Sequence, residues 1–213
     1  MENSKPTVPT EPADEAKPDS SGLHSSRGPS RTFLGLTDEV RRLSGKLVDG
    51  SIERSDFLEC CTRLTATSIG CSRAGIWLFV DTAEGRVMRC LAMYDAVNDR
   101  MTTAPDEKVA VEAYFNAFDE AGYVMADDVH VHPATSGLFA KRLGTMGVRS
   151  LLASSFSVNG HLFGTLTCTD VGKSTVWTPR QLAMLRQIGG PASLALYKTS
   201  RFTADTGFAP LII

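Results

Sequence analysis

The feature of this sequence that most constrains its fold is a pair of β-rich runs on either side of Asn159-Gly160. Asn-Gly favours the tight turn of a two-residue β-hairpin, so 149–158 and 161–170 are predicted to be antiparallel neighbours. A regular register pairs Val158 with His161, Phe156 with Phe163, Ser154 with Thr165, and Leu152 with Thr167. We expect the face shared by these eight residues to form the floor of a ligand pocket, because it mixes aromatic rings with hydroxyls.

Hydrophobic periodicity predicts the remaining elements. Helices are expected at 38–48, 52–69, 107–121 and 136–146, strands at 73–80, 86–95 and 123–126, and a polar loop at 96–106. A last helix opens at Thr178-Pro179-Arg180-Gln181, which has the form of a capping box. Gly189-Gly190-Pro191 is expected to kink or break that helix, which then resumes at 192–198.

This element order predicts an α+β fold. Two hairpins would form an antiparallel β-sheet, with the first and last helices together on one face. The opposite face would then hold a ligand pocket covered by loops and a helix. Small residues on the second face of the Asn159-Gly160 hairpin would let a helix lie close to the sheet.

Composition excludes several classes of partner. The chain has 213 residues and a formal net charge of −2, without the basic stripe of a nucleic-acid-binding protein. No apolar run approaches the length of about 20 residues that spans a bilayer, so no membrane partner is expected. Five scattered cysteines and the absence of an apolar leader indicate a reducing, cytoplasmic location.

The two ends of the chain differ from its centre. Residues 1–32 contain half of the ten prolines and no aromatic residue, a composition too polar to form a core, so they are predicted to be a disordered tail. Residues 35–200 are predicted to form one domain. Residues 201–213 are assigned to a C-terminal extension that ends in an apolar run.

Five short segments then match one family in order. They are Arg73-Ala74-Gly75-Ile76-Trp77-Leu78, Ala126-Asp127-Asp128 with His132-Pro133, Gly147-Val148-Arg149-Ser150-Leu151-Leu152, Asn159 to Leu166, and Val176 to Gln181. Together they resemble a GAF domain, of the kind found in bacterial histidine kinases and diguanylate cyclases. The resemblance implies that a small molecule is held between the sheet and the loops of one face, and that the terminal helices transmit a signal.

The candidate ligand site combines aromatic, hydroxyl and acidic side chains from the predicted pocket face and its loops. They are Trp77, Tyr114, Phe115, Tyr123, Asp127, Asp128, Ser154, Thr165 and Thr167. An ordinary packed core is the alternative interpretation of the aromatic residues and of both hairpin faces. His130 and His132 lack the spacing of a metal-binding motif, so no metal is expected. The cofactor, if any, is not identified by the sequence.

The sequence argues against two specific activities of GAF domains, bilin attachment and cyclic-nucleotide binding. The sequence has no Cys-His dipeptide, so covalent attachment of a bilin is not expected. Residues 116–120 contain the letters of a cyclic-nucleotide signature on consecutive helical positions, which cannot converge on one ligand. The expected function is therefore a non-catalytic sensory or regulatory module of bacterial signal transduction that binds a small molecule.

This module is expected to form a homodimer through its terminal helices, and to act on a separate kinase or cyclase. Two alternatives remain open. One is an enzyme resembling free-methionine-sulfoxide reductase, for which Cys90 is the candidate thiol. The other is a degenerate GAF domain that serves only dimerisation or scaffolding.

Overall fold

The computed structural model describes residues 33–83, 85–105, 107–108, 112–138 and 143–200. The predicted disordered tail, 1–32, and the C-terminal extension, 201–213, lie outside these residues. The helices are α1 (Phe33–Val48), α2 (Arg54–Ile69), α3 (Glu112–Ala121), α4 (Ser136–Leu138) and α5 (Pro179–Lys198). The strands are β1 (Arg73–Thr82), β2 (Gly85–Asp95), β3 (Arg100–Thr102), β4 (Glu107–Lys108), β5 (Tyr123–Ala126), β6 (Val148–Val158) and β7 (His161–Val171).

The strands form one antiparallel sheet with the order β3-β2-β1-β7-β6-β5, and β4 also pairs with β2. Helices α1, α2 and α5 pack on one face, which we call the back face, and α3 packs on the other, the front face. The predicted α+β fold is confirmed, including the placement of both terminal helices on the same side. None of the described helices combines the length and apolar character needed to cross a membrane.

The back face holds an extensive apolar core. Leu36, Phe57 and Leu185, one from each of the three helices, are fully buried, as are Ile76 and Leu166 from the sheet. Full burial of a side chain of this size contributes about 1.5–3 kcal/mol. Helix α5 begins at the predicted capping box, in which Thr178 and Gln181 exchange hydrogen bonds. The predicted start of this helix is therefore confirmed.

The predicted break in α5 is wrong, because the helix runs unbroken through Gly189-Gly190-Pro191. An internal proline costs about 3 kcal/mol. Ile188, Ala192 and Leu196 lie one turn apart on either side of the proline and are all buried in the back core. Burial of the two large side chains alone offsets that cost. Glycine at 190 also lacks the Cβ that would clash with the proline ring.

The predicted register of the β6–β7 hairpin is correct only at its tip. Val158 pairs with His161 and Ser157 with Leu162, but Phe156 then pairs with Gly164, which leaves Phe163 as an extra residue in β7. This β-bulge shifts the pairs from Phe156 to Ser150 by one position, and a second irregularity restores the register at Val148–Val171. Ser154 therefore pairs with Leu166, Thr165 with Ser155, Thr167 with Ala153, and Leu152 with Cys168.

The shift also changes which residues share a face. Leu152, Phe156 and Phe163 pack into the back core together with Leu166 and Cys168. The predicted pocket floor of aromatic and hydroxyl residues therefore does not exist as one surface. A single extra residue reverses the alternation of inward and outward side chains along the strand, and the turn sequence does not reveal it.

Three boundaries differ from the prediction where short edge strands and turns form. The expected loop 96–106 contains β3, and the helix expected from residue 107 begins at Glu112, after β4. Both strands exist because they pair with β2, a tertiary contact that local periodicity does not report. The helix expected over 136–146 is described only at Ser136–Leu138, and residues 144–147 form turns.

Candidate functional site

An aromatic cluster occupies the front face. Trp77 and Phe79 project from β1, and Tyr114, Phe115 and Phe118 come from α3. The ring centroids of Phe79 and Phe115 lie 4.8 Å apart, and those of Tyr114 and Phe118 lie 4.9 Å apart, both edge to face. This packing geometry is favourable for aromatic pairs, so α3 is held against the sheet by its rings.

A polar link crosses the sheet beneath this cluster. The Trp77 Nε1–H donates a hydrogen bond to Thr167 Oγ1 at 3.2 Å, and the Thr167 hydroxyl donates to the Gly75 carbonyl oxygen at 3.2 Å. A Cβ at residue 75 would lie 2.8 Å from Trp77 Nε1. A side chain at this position would therefore displace the indole from its hydrogen bond with Thr167.

Thr165 lies beside this link, opposite Trp77 on β7, and its hydroxyl donates to the Ser154 carbonyl oxygen at 2.9 Å. Tyr114 is 1% exposed, and burial raises the pKa of its phenol. A tyrosine in this environment stays protonated at physiological pH. The described part of the front face thus presents aromatic surface and neutral hydroxyls.

The two aspartates predicted to belong to the pocket loop hold local structure. Asp127 Oδ1 accepts a hydrogen bond from the Trp177 backbone N–H at 2.9 Å, which ties β5 to the segment before α5. Asp128 accepts from the His130 backbone N–H at 2.9 Å and lies 3.6 Å from the Arg149 guanidinium. Both carboxylates thus position the loop after β5.

The histidines of this loop have protein partners. His130 Nε2 lies 3.1 Å from Arg149 Nη1, and His132 Nδ1 accepts from the Ala134 backbone N–H at 3.2 Å. Burial lowers the pKa of His132, an effect that Asp127 partly opposes. Within the described residues, no cluster of three or more histidine, cysteine or acidic side chains could hold a metal ion.

Two residues of the predicted site lie on the other side of the sheet. Tyr123 packs against the back core, with its ring 4.9 Å from the Arg186 guanidinium of α5. Ser154, its partner in β6, faces Gly189 of α5. The structure therefore brings together Trp77, Tyr114, Phe115, Thr165 and Thr167, and separates Tyr123 and Ser154 from them.

Sequence reasoning missed the roles of Gly75 and Phe79. Phe79 lies two residues after Trp77 in β1, so strict alternation places both rings on one face, and this signal was available. The role of Gly75 depends on the direction of the Trp77 indole, which alternation does not give.

The five cysteines lie in different environments. All five are free thiols. Burial raises the pKa of Cys61 to about 12, and the pKa of Cys168 is raised as well, which is the opposite of what a reactive thiolate requires. Cys90 is half-buried beside the front cluster, opposite Trp77 in the β1–β2 register.

Comparison with known proteins agrees with this architecture. The family model of the GAF domain matches residues 53–196. The chain belongs to the GAF domain family. No curated protein sequence matches this chain.

Solved structures share the fold at low sequence identity. The phycoerythrobilin-bound GAF domain of a cyanobacterial phytochrome has a TM-score of 0.62 and 14% identity, over 76% of this chain and 94% of that one. The free methionine-R-sulfoxide reductase of Neisseria meningitidis, in complex with its substrate, has a TM-score of 0.59 and 12% identity, over 78% of this chain and 89% of that one. Likeness at this level of identity defines the fold and leaves the ligand open.

Proposed function

We propose that this protein is a non-catalytic sensory module of bacterial signal transduction that binds a small molecule at its front face. The observation that carries the proposal is the buried Trp77–Thr167 hydrogen bond beneath the aromatic cluster. Apolar and aromatic walls with a few placed polar groups are typical of ligand sites. The proposal retains the cytoplasmic location expected from the sequence.

Five residues of the predicted site are proposed to contact the ligand: Trp77, Tyr114, Phe115, Thr165 and Thr167. The aromatic rings would stack against an apolar or planar group. The two hydroxyls, whose hydrogens already go to the Ser154 and Gly75 carbonyls, would accept a hydrogen bond from a neutral donor. Asp127 and Asp128 are proposed to shape the loop at the rim rather than to contact the ligand, since backbone groups and Arg149 already occupy them.

Ligand binding at the front face would affect the terminal helices through the sheet. Thr165 and Thr167 face the front, and Leu166 between them packs into the back core beneath α5. A Cβ at Gly189 of α5 would lie 3.5 Å from the Phe156 ring, so the helix and sheet are in close contact. A ligand that favours one position of β7 would therefore shift the population of α5 positions.

A thermal-shift screen against a metabolite panel tests this proposal. We expect at least one compound to raise the melting temperature of the wild type, and Thr167→Val to lose that shift. The matched control is Thr178→Ala, which removes a hydroxyl at the start of α5, away from the front face. If no compound stabilises the wild type, the scaffold alternative is favoured instead.

The reductase alternative rests on Cys90, which lies beside the front cluster. A turnover assay with free methionine sulfoxide and a thiol reductant separates the two functions. A sensory module gives no turnover, and its ligand-induced thermal shift survives Cys90→Ser. Turnover that is abolished by Cys90→Ser would establish the enzyme and overturn the proposal.

A homodimer through α1 and α5 is part of the proposal, as is a separate kinase or cyclase that reads the helices. Val48 of α1 and Leu194 of α5 are 48% and 43% exposed and line one groove of about 450 Å³. A second copy would cover this apolar surface. Light scattering should give a dimeric mass for the wild type and a monomeric mass for Leu194→Glu, with Leu34→Glu as an exposed control on α1.

A further inference from the structure

A second cleft lies at the edge of the sheet, away from the front aromatic cluster. Its volume is about 630 Å³, within the range of about 300–1,000 Å³ that is usual for ligand pockets. The first turns of α2 form one wall, and β2 together with residues 101–103 forms the other. Strands β3 and β4 pair with 93–95 and 87–88 of β2, so within the described residues neither strand covers 89–92.

A β-bulge shapes the apolar floor of this cleft. Ile76 of β1 pairs with Ala92, and Trp77 pairs with Cys90, so Leu91 is an extra residue in β2. Leu91 and Ala92 both pack on the back core and both line the cleft. A bulge re-aims side chains in this way. With Leu58 and Met101, these residues give the cleft an apolar interior.

Arg54 supplies an uncompensated positive charge at this apolar surface. It lines the cleft and is partly buried. The structure gives it no hydrogen bond or ion pair with any residue that it describes. Burial lowers the pKa of its guanidinium, since removing a cation from water disfavours the charged form. A bound anion would compensate this charge.

Among the residues that the structure describes, neither acidic group of the cleft forms an ion pair with Arg54. Glu59 is engaged by Arg63, whose Nε lies 2.9 Å from its carboxylate. Glu53 is exposed at the N-cap of α2 and also lines the cleft. Arg89 lines the cleft as well and has an interaction of its own.

We propose that this cleft is a second ligand site, which binds a small organic anion with an apolar body. The anionic head would pair with Arg54, and the apolar body would lie on Leu58, Leu91 and Met101. None of the five residues proposed to contact the front-face ligand lines this cleft, and Cys90, beside the front cluster, is a lining residue of the cleft.

Titration of the ¹⁵N-labelled full chain with octanoate tests this site, with octan-1-ol as the neutral probe. We expect saturable shifts at 54–59 and 89–92. Arg54→Gln should weaken octanoate binding about tenfold or more, the effect of losing a hydrogen bond to a charged group, and leave octan-1-ol binding unchanged. Arg42→Gln, at an exposed arginine of α1, is the matched control and should bind both probes as the wild type does.

A second variant keeps the test informative if Arg54→Gln fails to fold. Thr103 is exposed at the rim of the cleft, so Thr103→Trp should block it without disturbing the core and abolish binding of both probes. The proposal is overturned if the wild type shows no saturable binding of octanoate. It is equally overturned if Arg54→Gln binds octanoate with wild-type affinity, or if the shifts map to the front face.

Discussion

The two faces of the sheet are built differently. The back face is apolar, and residues such as Leu36, Phe57 and Leu185 are fully buried between three helices and the strands. The front face instead contains a buried indole–hydroxyl hydrogen bond, an aromatic cluster and the half-buried Cys90. Stability should therefore reside mainly in the back core, and changes on the front face should alter recognition at a smaller cost in stability.

Truncation of the back core should give the largest effect. Leu185→Ala removes a fully buried side chain of α5 and should lower the free energy of unfolding by about 2–5 kcal/mol, because it leaves a cavity. Urea unfolding measures the change. Leu194→Ala, on the exposed side of the same helix, should cost far less, and equal costs would contradict the assignment of α5 to the core.

The polar link of the front face should rank second. Thr167→Val removes the acceptor of the Trp77 N–H and the donor to the Gly75 carbonyl. Leaving such buried groups unpaired costs about 1–3 kcal/mol. Thr167→Ser retains the hydroxyl and should stay closer to the wild type. Urea unfolding monitored by tryptophan fluorescence follows both; a stable Thr167→Val variant would argue against a buried link.

The start of α5 should contribute less. Thr178 Oγ1 accepts from the Gln181 backbone N–H at 3.2 Å, so Thr178→Ala should cost about 1 kcal/mol. Thr178→Ser, which can still cap the helix, should be nearly neutral. Chemical unfolding of the three proteins in parallel checks this order. A loss of stability as large as that of Leu185→Ala would contradict the assignment of Thr178 as a helix cap outside the core.

The smallest effect is expected at His132 in the loop after β5. Burial lowers the pKa of this histidine in the folded state, so below about pH 6.5 the unfolded chain binds more protons than the folded one. The stability that His132 contributes is therefore present above that pH and is lost as the pH falls towards the folded pKa. His132→Gln should flatten the fall in unfolding free energy between pH 7 and 5, whereas His161→Gln, on the exposed hairpin tip, should retain it.

Local signals were sufficient for most of the architecture. The Asn159-Gly160 turn, the alternation in β1 and the capping box at Thr178 each depend on neighbouring residues, and the structure contains all three. The α+β fold and the shared face of the terminal helices followed from their order.

Features that depend on distant contacts were not predictable. The Gly189-Gly190-Pro191 segment stays helical because the back core holds both of its flanks. The face of Ser154 depends on the extra residue Phe163, and that of Tyr123 depends in turn on its pairing with Ser154. The candidate site was therefore only partly identified, since its β6 and β5 members were assigned to the wrong side.

Two of the three register shifts in the described sheet lie at the same level. Leu91 is the extra residue beside the Ile76–Trp77 step of β1, and Phe163 is the extra residue beside Gly164, which pairs with Leu78 one position further along. Extra residues increase the local twist of a strand pair, so we expect the β1–β2 and β6–β7 pairs to twist most strongly at this level. Trp77 of the front face and Leu91 of the Arg54 cleft both adjoin it, so any bending of the sheet there would change the shape of both places at once.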